Sequence, residues 1–196
     1  DYALEGIIVT CGATVRWLRD QLGLIASSAE TESMARAVAS NGGVYFIPAF
    51  SGMGAPHWKM DARAAIVGLT FGANKNHVVR AALESVAFQV KDVIVAMEKD
   101  SGISLSELKV DGGMTANSFL MQLIADLLGV KAVNIGLEEV SALGAAYMAG
   151  LGVGEFKSIN DLAALHYSQK VFEPSEAAEQ IQENHDAWQA MIAKHC

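Results

Sequence analysis

The sequence predicts an α/β layer fold built on a central sheet, and three observations carry that expectation. Apolar, β-branched runs alternate with stretches of helical periodicity along the whole chain. Of 196 residues, 52% are hydrophobic and the mean hydropathy is +0.26, enough to bury a full core as one domain, or as one domain and a tail. Glycine, Asn-Gly or proline punctuates most of the periodic segments, as expected at the ends of strands and helices.

Taken in order, residues 2–9 (YALEGIIV) are apolar and β-branched enough for a strand. Gly12 opens a helical pattern carried by Val15, Leu18 and Leu22, and Gly23 closes it. A second helix over about 29–39 ends at Asn41-Gly42-Gly43, after which VYFIPAF reads as a buried strand stopped by Pro48. A long Gly and Pro loop, SGMGAPHWKMDA, precedes a short strand, AAIVGL. The clearest helix spans 76–99, where Val79, Leu83, Val86, Val90, Val93 and Met97 make one apolar stripe, with Arg80 and Glu84 one turn apart as a supporting pair. Ser101-Gly102 ends it. Residues 108–110 form a short strand, Gly112-Gly113 turn the chain, and Phe119, Leu120, Leu123, Ile124, Leu127 and Leu128 give the next helix a buried face ended by Gly129. After a strand at 131–134, Ser141 begins a helix whose Ala142, Gly144, Ala145, Ala146 and Ala149 allow close approach to a neighbour. Pro174 is placed to start the last helix, with Ala178, Ile181, Trp188 and Ile192 inward.

Composition narrows the function classes. The formal charge is −8, with a sequence pI near 5.0, and the 14 Lys and Arg are scattered, which argues against nucleic acid as a partner. The uncharged run best suited to a membrane span, 140–154, falls short of the roughly 20 residues such a span needs, and no signal peptide opens the chain, so the cytoplasm is the expected compartment. Cys11 and Cys196 lie too far apart in sequence for metal spacing or a disulfide framework. His57, His77, His166, His185 and His195 lack any HxxxH or CxxC context, so surface or capping roles are expected of them.

The stretch KVDGGMTAN, residues 109–117, carries the chemical signal. Two adjacent glycines remove both Cβ atoms where a strand turns into a helix, which lets a flat ligand lie against bare backbone. Read alone, it is equally an ordinary strand-to-helix turn.

The blocks YALEG, CGATVRWLRD, GVYFIPAFSGMGAPHW, DARAAIVGLT, RAALESVAFQVKDV, DSGISLSELKVDGGMTANSFLMQLIADLLGV and SALGAAYMAGLGVG, in this order, resemble the C-terminal part of the glycerol kinase branch of the FGGY carbohydrate kinases. The resemblance covers nearly the whole chain. It implies a ribonuclease H-like, actin-like ATPase lobe with a mixed central sheet flanked by helices. Residues 1–196 are then one C-terminal, nucleotide-binding lobe, incomplete at its N-terminus, with 174–196 as its terminal helix. The implied activity is transfer of the γ-phosphoryl of ATP to glycerol. ATP and Mg²⁺ are the cofactors, ATP or ADP and glycerol the small-molecule partners, and a homo-oligomer is expected, without nucleic acid or membrane.

By the same resemblance Gly113 and Asn117 contact the adenosine part of the nucleotide, and Gly112 shares the close approach. A carboxamide that donates and accepts, beside helix N-terminal amides, suits that task. A second contact falls on Gly12 and, four residues on, on Arg16, where the family pattern has Gln. Arg offers length and a fixed charge suited to a phosphate or ribose. The catalytic Asp, the glycerol-binding residues and the phosphate loops belong to parts of such kinases that these residues do not match, and Mg²⁺ is expected to be held mainly by the other lobe. No catalytic residue is therefore assigned here, and the isolated chain is expected to be inactive. Asp61 is expected to order the long loop, with Arg63, and Asp111 the glycine turn. A ketose kinase such as xylulokinase, which shares PHW, DAR and ALGAA-like blocks, and a non-catalytic nucleotide-binding or assembly module are the alternatives.

Overall fold

The computed structural model describes residues 3–137, 139–163, 165 and 170–196. His166 and Tyr2 lie outside them. The elements run α1 (Cys11–Asp20), α2 (Glu30–Arg36), β1 (Tyr45–Ile47), β2 (Ala65–Val67), α3 (Lys75–Ser101), β3 (Glu107–Val110), a 3₁₀ turn (Gly113–Ala116), α4 (Ser118–Leu128), β4 (Lys131–Asn134), α5 (Val140–Val153), α6 (Ile159–Ala163), β5 (Lys170–Phe172) and α7 (Ala178–His195). The α/β class holds. Its sheet comes in two pieces: an antiparallel pair, β1 with β2, and a mixed sheet in which β4 pairs parallel with β3 and antiparallel with β5.

Local chemistry fixes the helix ends. Asn74 caps α3 by accepting from the Asn76 N–H at 2.9 Å, while the His77 ring accepts from the Asn74 N–H, and Gly102 and Gly129 close α3 and α4 in the left-handed conformation. The predicted stripe of α3 is buried at Val79, Leu83, Val86 and Val93, yet the N-terminal half of this helix is enclosed on nearly every side, from Val78 to Phe88. Two apolar clusters flank it. One gathers Leu120, Ile124, Phe88, Trp188 and Ile192, the other Val15, Leu18, Phe46, Val79 and Leu83, and Met114 and Phe119 pack against both.

Buried polar groups join the elements. Glu84, 2% exposed, accepts from Arg80 at 2.8 Å and Asn41 at 2.9 Å, and Arg80 also donates to the Val38 carbonyl at 2.6 Å. Burial raises the Glu84 carboxyl above its ordinary range against the pull of Arg80. Trp188 Nε1 donates to the Phe46 carbonyl at 2.8 Å and docks α7 on β1. Asp92 of α3 gathers three partners: His57 from the long loop at 2.7 Å, His185 at 2.8 Å and Gln189 at 2.8 Å, both from α7.

Four expectations are corrected. Residues 3–9 form no strand: Gly6 packs against Val93 and Met97 of α3, Leu4, Ile7 and Val9 face outward, and among the described residues no strand pairs with this segment. Pro174 does not start α7, which begins four residues later. The Ser175 N–H is instead bonded to Asp126 of α4 at 2.7 Å. The small residues of α5 are not packed into the core: none of its described residues is buried, and Gly150 instead makes room for Phe156 just past the helix end. The histidines are not all peripheral, because His57 and His185 share the Asp92 carboxylate. The periodicity also gave no sign of α6 or β5. No described helix is long and apolar enough to cross a membrane.

Candidate nucleotide site

The strand β3 ends at Val110 and the chain turns through Gly112, whose φ of 88° lies where only glycine is comfortable. Thr115 closes the turn, its N–H and hydroxyl both donating to the Gly112 carbonyl at 3.0 and 2.7 Å. Asp111 makes no side-chain hydrogen bond among the described residues, so the turn is ordered by Thr115 rather than by Asp111. Arg63 does order the long loop, but by donating to the carbonyls of Asp61 and Ala62 rather than to a carboxylate.

Gly113 differs from Gly112 in kind. It has no positive φ, and a Cβ built on it meets nothing within 4 Å, so the fold itself does not require glycine there. Its bare face opens on a cavity of about 240 Å³. Val15 of α1, Leu83 of α3 and Met114 give this cavity apolar walls. Ser28, Ala29, Thr31 and Glu32 close one side from the start of α2, and Ala116 and Asn117 close the other.

Asn117 is the N-cap of α4, its Oδ1 accepting from the Leu120 N–H at 3.0 Å. Its Nδ2 donates to Thr31 Oγ1 at 3.0 Å, and the Thr31 hydroxyl donates in turn to the Ser28 carbonyl at 2.7 Å. Glu32 accepts from the Ser118 N–H at 2.9 Å through one oxygen and pairs with Arg36 at 3.0 Å through the other. A carboxamide has two donors and two lone pairs, so Asn117 keeps one Nδ2 hydrogen and one Oδ1 lone pair for a ligand.

Thus the structure brings Gly113 and Asn117 into one cavity, with Gly112 forming the turn behind them. Gly12 and Arg16 lie one turn apart on the exposed face of α1, outside the cavity wall that Val15 supplies. A Cβ on Gly12 also meets nothing within 4 Å. Arg19 takes the Asp20 carboxylate at 2.6 and 3.1 Å, and Arg16 makes no hydrogen bond or ion pair among the described residues. Sequence reasoning missed Val15, Thr31, Glu32 and Leu83 as site residues. Each reads as helix interior or helix surface, with no signal that could single it out.

Residues 1–153 match the family profile described as the C-terminal domain of the FGGY family of carbohydrate kinases. The chain belongs to the FGGY family. It is 52% identical over 193 residues to a glycerol kinase of Paenarthrobacter aurescens, an alignment covering 98% of this chain and 38% of that protein. Among solved structures, a Plasmodium falciparum glycerol kinase with ADP matches at TM-score 0.84 and 36% identity, covering 95% of this chain and 37% of that one. A xylulose kinase of Rhodospirillum rubrum matches at TM-score 0.76 with 26% identity over 93% of this chain and 38% of that one. Similarity to glycerol kinases is therefore stronger than to ketose kinases. The chain spans well under half of the length of the curated relatives it matches, 38% for the Paenarthrobacter aurescens protein.

Proposed function

We propose that the chain is the nucleotide-binding C-terminal lobe of a kinase that moves the γ-phosphoryl of ATP to glycerol. The observation that carries this reading is the cavity in which the open face of Gly113 meets the Asn117 carboxamide against apolar walls, in a lobe similar to a glycerol kinase with ADP. A flat base slides against Gly113 and Met114, and the free Nδ2 hydrogen of Asn117 meets an acceptor on the base or ribose. Gly112 lets the backbone turn close beside it. Gly12 and Arg16 lie on the α1 face beside Val15, from which the Arg16 guanidinium reaches outward to a phosphate or ribose. In-line transfer then depends chiefly on positioning and charge neutralisation.

Mg²⁺ accompanies the phosphates in such transfer. Among the described residues no cluster of three or more His, Cys, Asp or Glu could hold a metal ion, and the one acid lining the cavity, Glu32, is already engaged by Ser118 and Arg36. No step is therefore routed through the ion in this lobe. Glycerol is likewise assigned to residues outside this chain. The exposed Leu4, Ile7 and Val9 support a homo-oligomer, and the two free thiols suit a cytoplasmic setting.

The test is ADP release by the intact protein with ATP and either glycerol or D-xylulose as acceptor. Turnover with glycerol supports the reading, and preference for xylulose replaces it with the ketose kinase alternative. Nucleotide binding without turnover on either acceptor favours a non-catalytic module.

A further inference from the structure

We infer that Thr31 is a positioning residue for the nucleotide: it orients the Asn117 carboxamide, and α2 thereby sets the geometry of the turn that leads into α4. The inference rests on the nucleotide reading of the cavity above. Two bonds, each spanning 86 residues of chain, join the start of α2 to the start of α4: Thr31 Oγ1 with Asn117 Nδ2 and Glu32 Oε2 with the Ser118 N–H. Thr31 is 2% exposed, and its hydroxyl proton is committed to the Ser28 carbonyl, so its oxygen faces Asn117 only as an acceptor. An acceptor there selects the Nδ2 side of the carboxamide.

The Leu120 N–H imposes the same choice from the opposite side, because a donor requires Oδ1. With both ends of the amide specified, one rotamer and one flip state remain, and the second Nδ2 hydrogen is left as the free donor. Thr31 itself offers the ligand little, since its donor is already used. Its effect on affinity passes through Asn117. The α2 start also carries Ser28 and Ala29, which line the same cavity. A shift of this turn would therefore move a wall and the carboxamide together.

The test is a double-mutant cycle in the intact protein, with ADP affinity by calorimetry and ATP and glycerol KM by steady-state kinetics. Thr31→Val keeps the shape and removes the hydroxyl. It should weaken ADP and raise the ATP KM by about three- to ten-fold, the range of one net hydrogen bond. The kcat and the glycerol KM should hold, and Thr31→Ser should restore the affinity. Because Thr31 acts through Asn117, adding Thr31→Val to Asn117→Ala should cost nothing further. Full additivity of the two substitutions, or an unchanged ATP KM in Thr31→Val, would overturn the inference. If Gly113→Val and Asn117→Ala also left ADP affinity unchanged, the nucleotide reading of the cavity would fall with it.

Discussion

Gly113→Val separates ligand contact from folding at this site. The backbone at Gly113 has no positive φ and a Cβ there points into open space, so the folded chain should accept valine at a cost within about 0.5 kcal/mol, as at other uncrowded surface positions. In a chain of this size that is a change in Tm of about 2 °C or less. A nucleotide bound as proposed should fare differently. The branched side chain intrudes on a cavity of only about 240 Å³ and lifts the base off the Gly113 face. Losing about 60 to 100 Å² of apolar contact at about 25 cal/mol/Å² weakens binding by about 1.5 to 2.5 kcal/mol. That is about a 10- to 70-fold rise in the Kd for ADP. Calorimetric titration with ADP and a thermal melt of the same sample measure the two effects independently. An unchanged Kd would refute the placement of the base. A large fall in Tm would show that Gly113 is needed by the fold after all. Asn117→Ala is the less clean experiment, since it also removes the α4 cap, worth about 1 kcal/mol, and takes away the donor to Thr31 Oγ1.

Other expectations concern the frame around the site. Burial pushes the Asp92 carboxyl up, but hydrogen bonds from His185 and His57 outweigh it and bring its pKa from 3.8 to about 2. Asp92 therefore contributes about 2 kcal/mol that is present above pH 4 and is lost as pH falls toward 2. Urea denaturation at pH 5 and pH 2.5 should show that extra loss in the native chain and not in Asp92→Asn. Arg80→Leu should destabilise by about 3 to 5 kcal/mol because it strands the buried Glu84, and adding Glu84→Gln should recover part of it in the same denaturation assay. Gly68→Ala should cost more than about 2 kcal/mol and lower the Tm by at least 4 °C, since Gly68 sits at φ 81° and its Cβ would collide with the Gly43 carbonyl where β1 meets β2.

Much of the secondary structure is determined within short windows of sequence. Asn74, Gly102 and Gly129 end helices through interactions within one turn of themselves, and the stripe of α3 follows from 3.6-residue periodicity alone. The Gly112-Gly113 turn is legible for the same reason. Strands are different, because a ladder needs a partner. Residues 3–9 have strand composition and lie against α3 instead, whereas β5, with no periodicity to announce it, pairs with β4. The site divides in the same way. Gly113 and Asn117 are close in sequence and stand out in it, while Thr31, Val15 and Leu83 enter the cavity only because α1, α2 and α3 fold against the α4 turn. Asp92 likewise looks like one more helix-surface acid until the loop brings His57 and α7 brings His185, 35 and 93 residues away in the chain. Sequence determines what each backbone turn can do by itself. Which polar groups satisfy one another across the core is decided only when packing removes water and leaves each buried donor and acceptor no other partner.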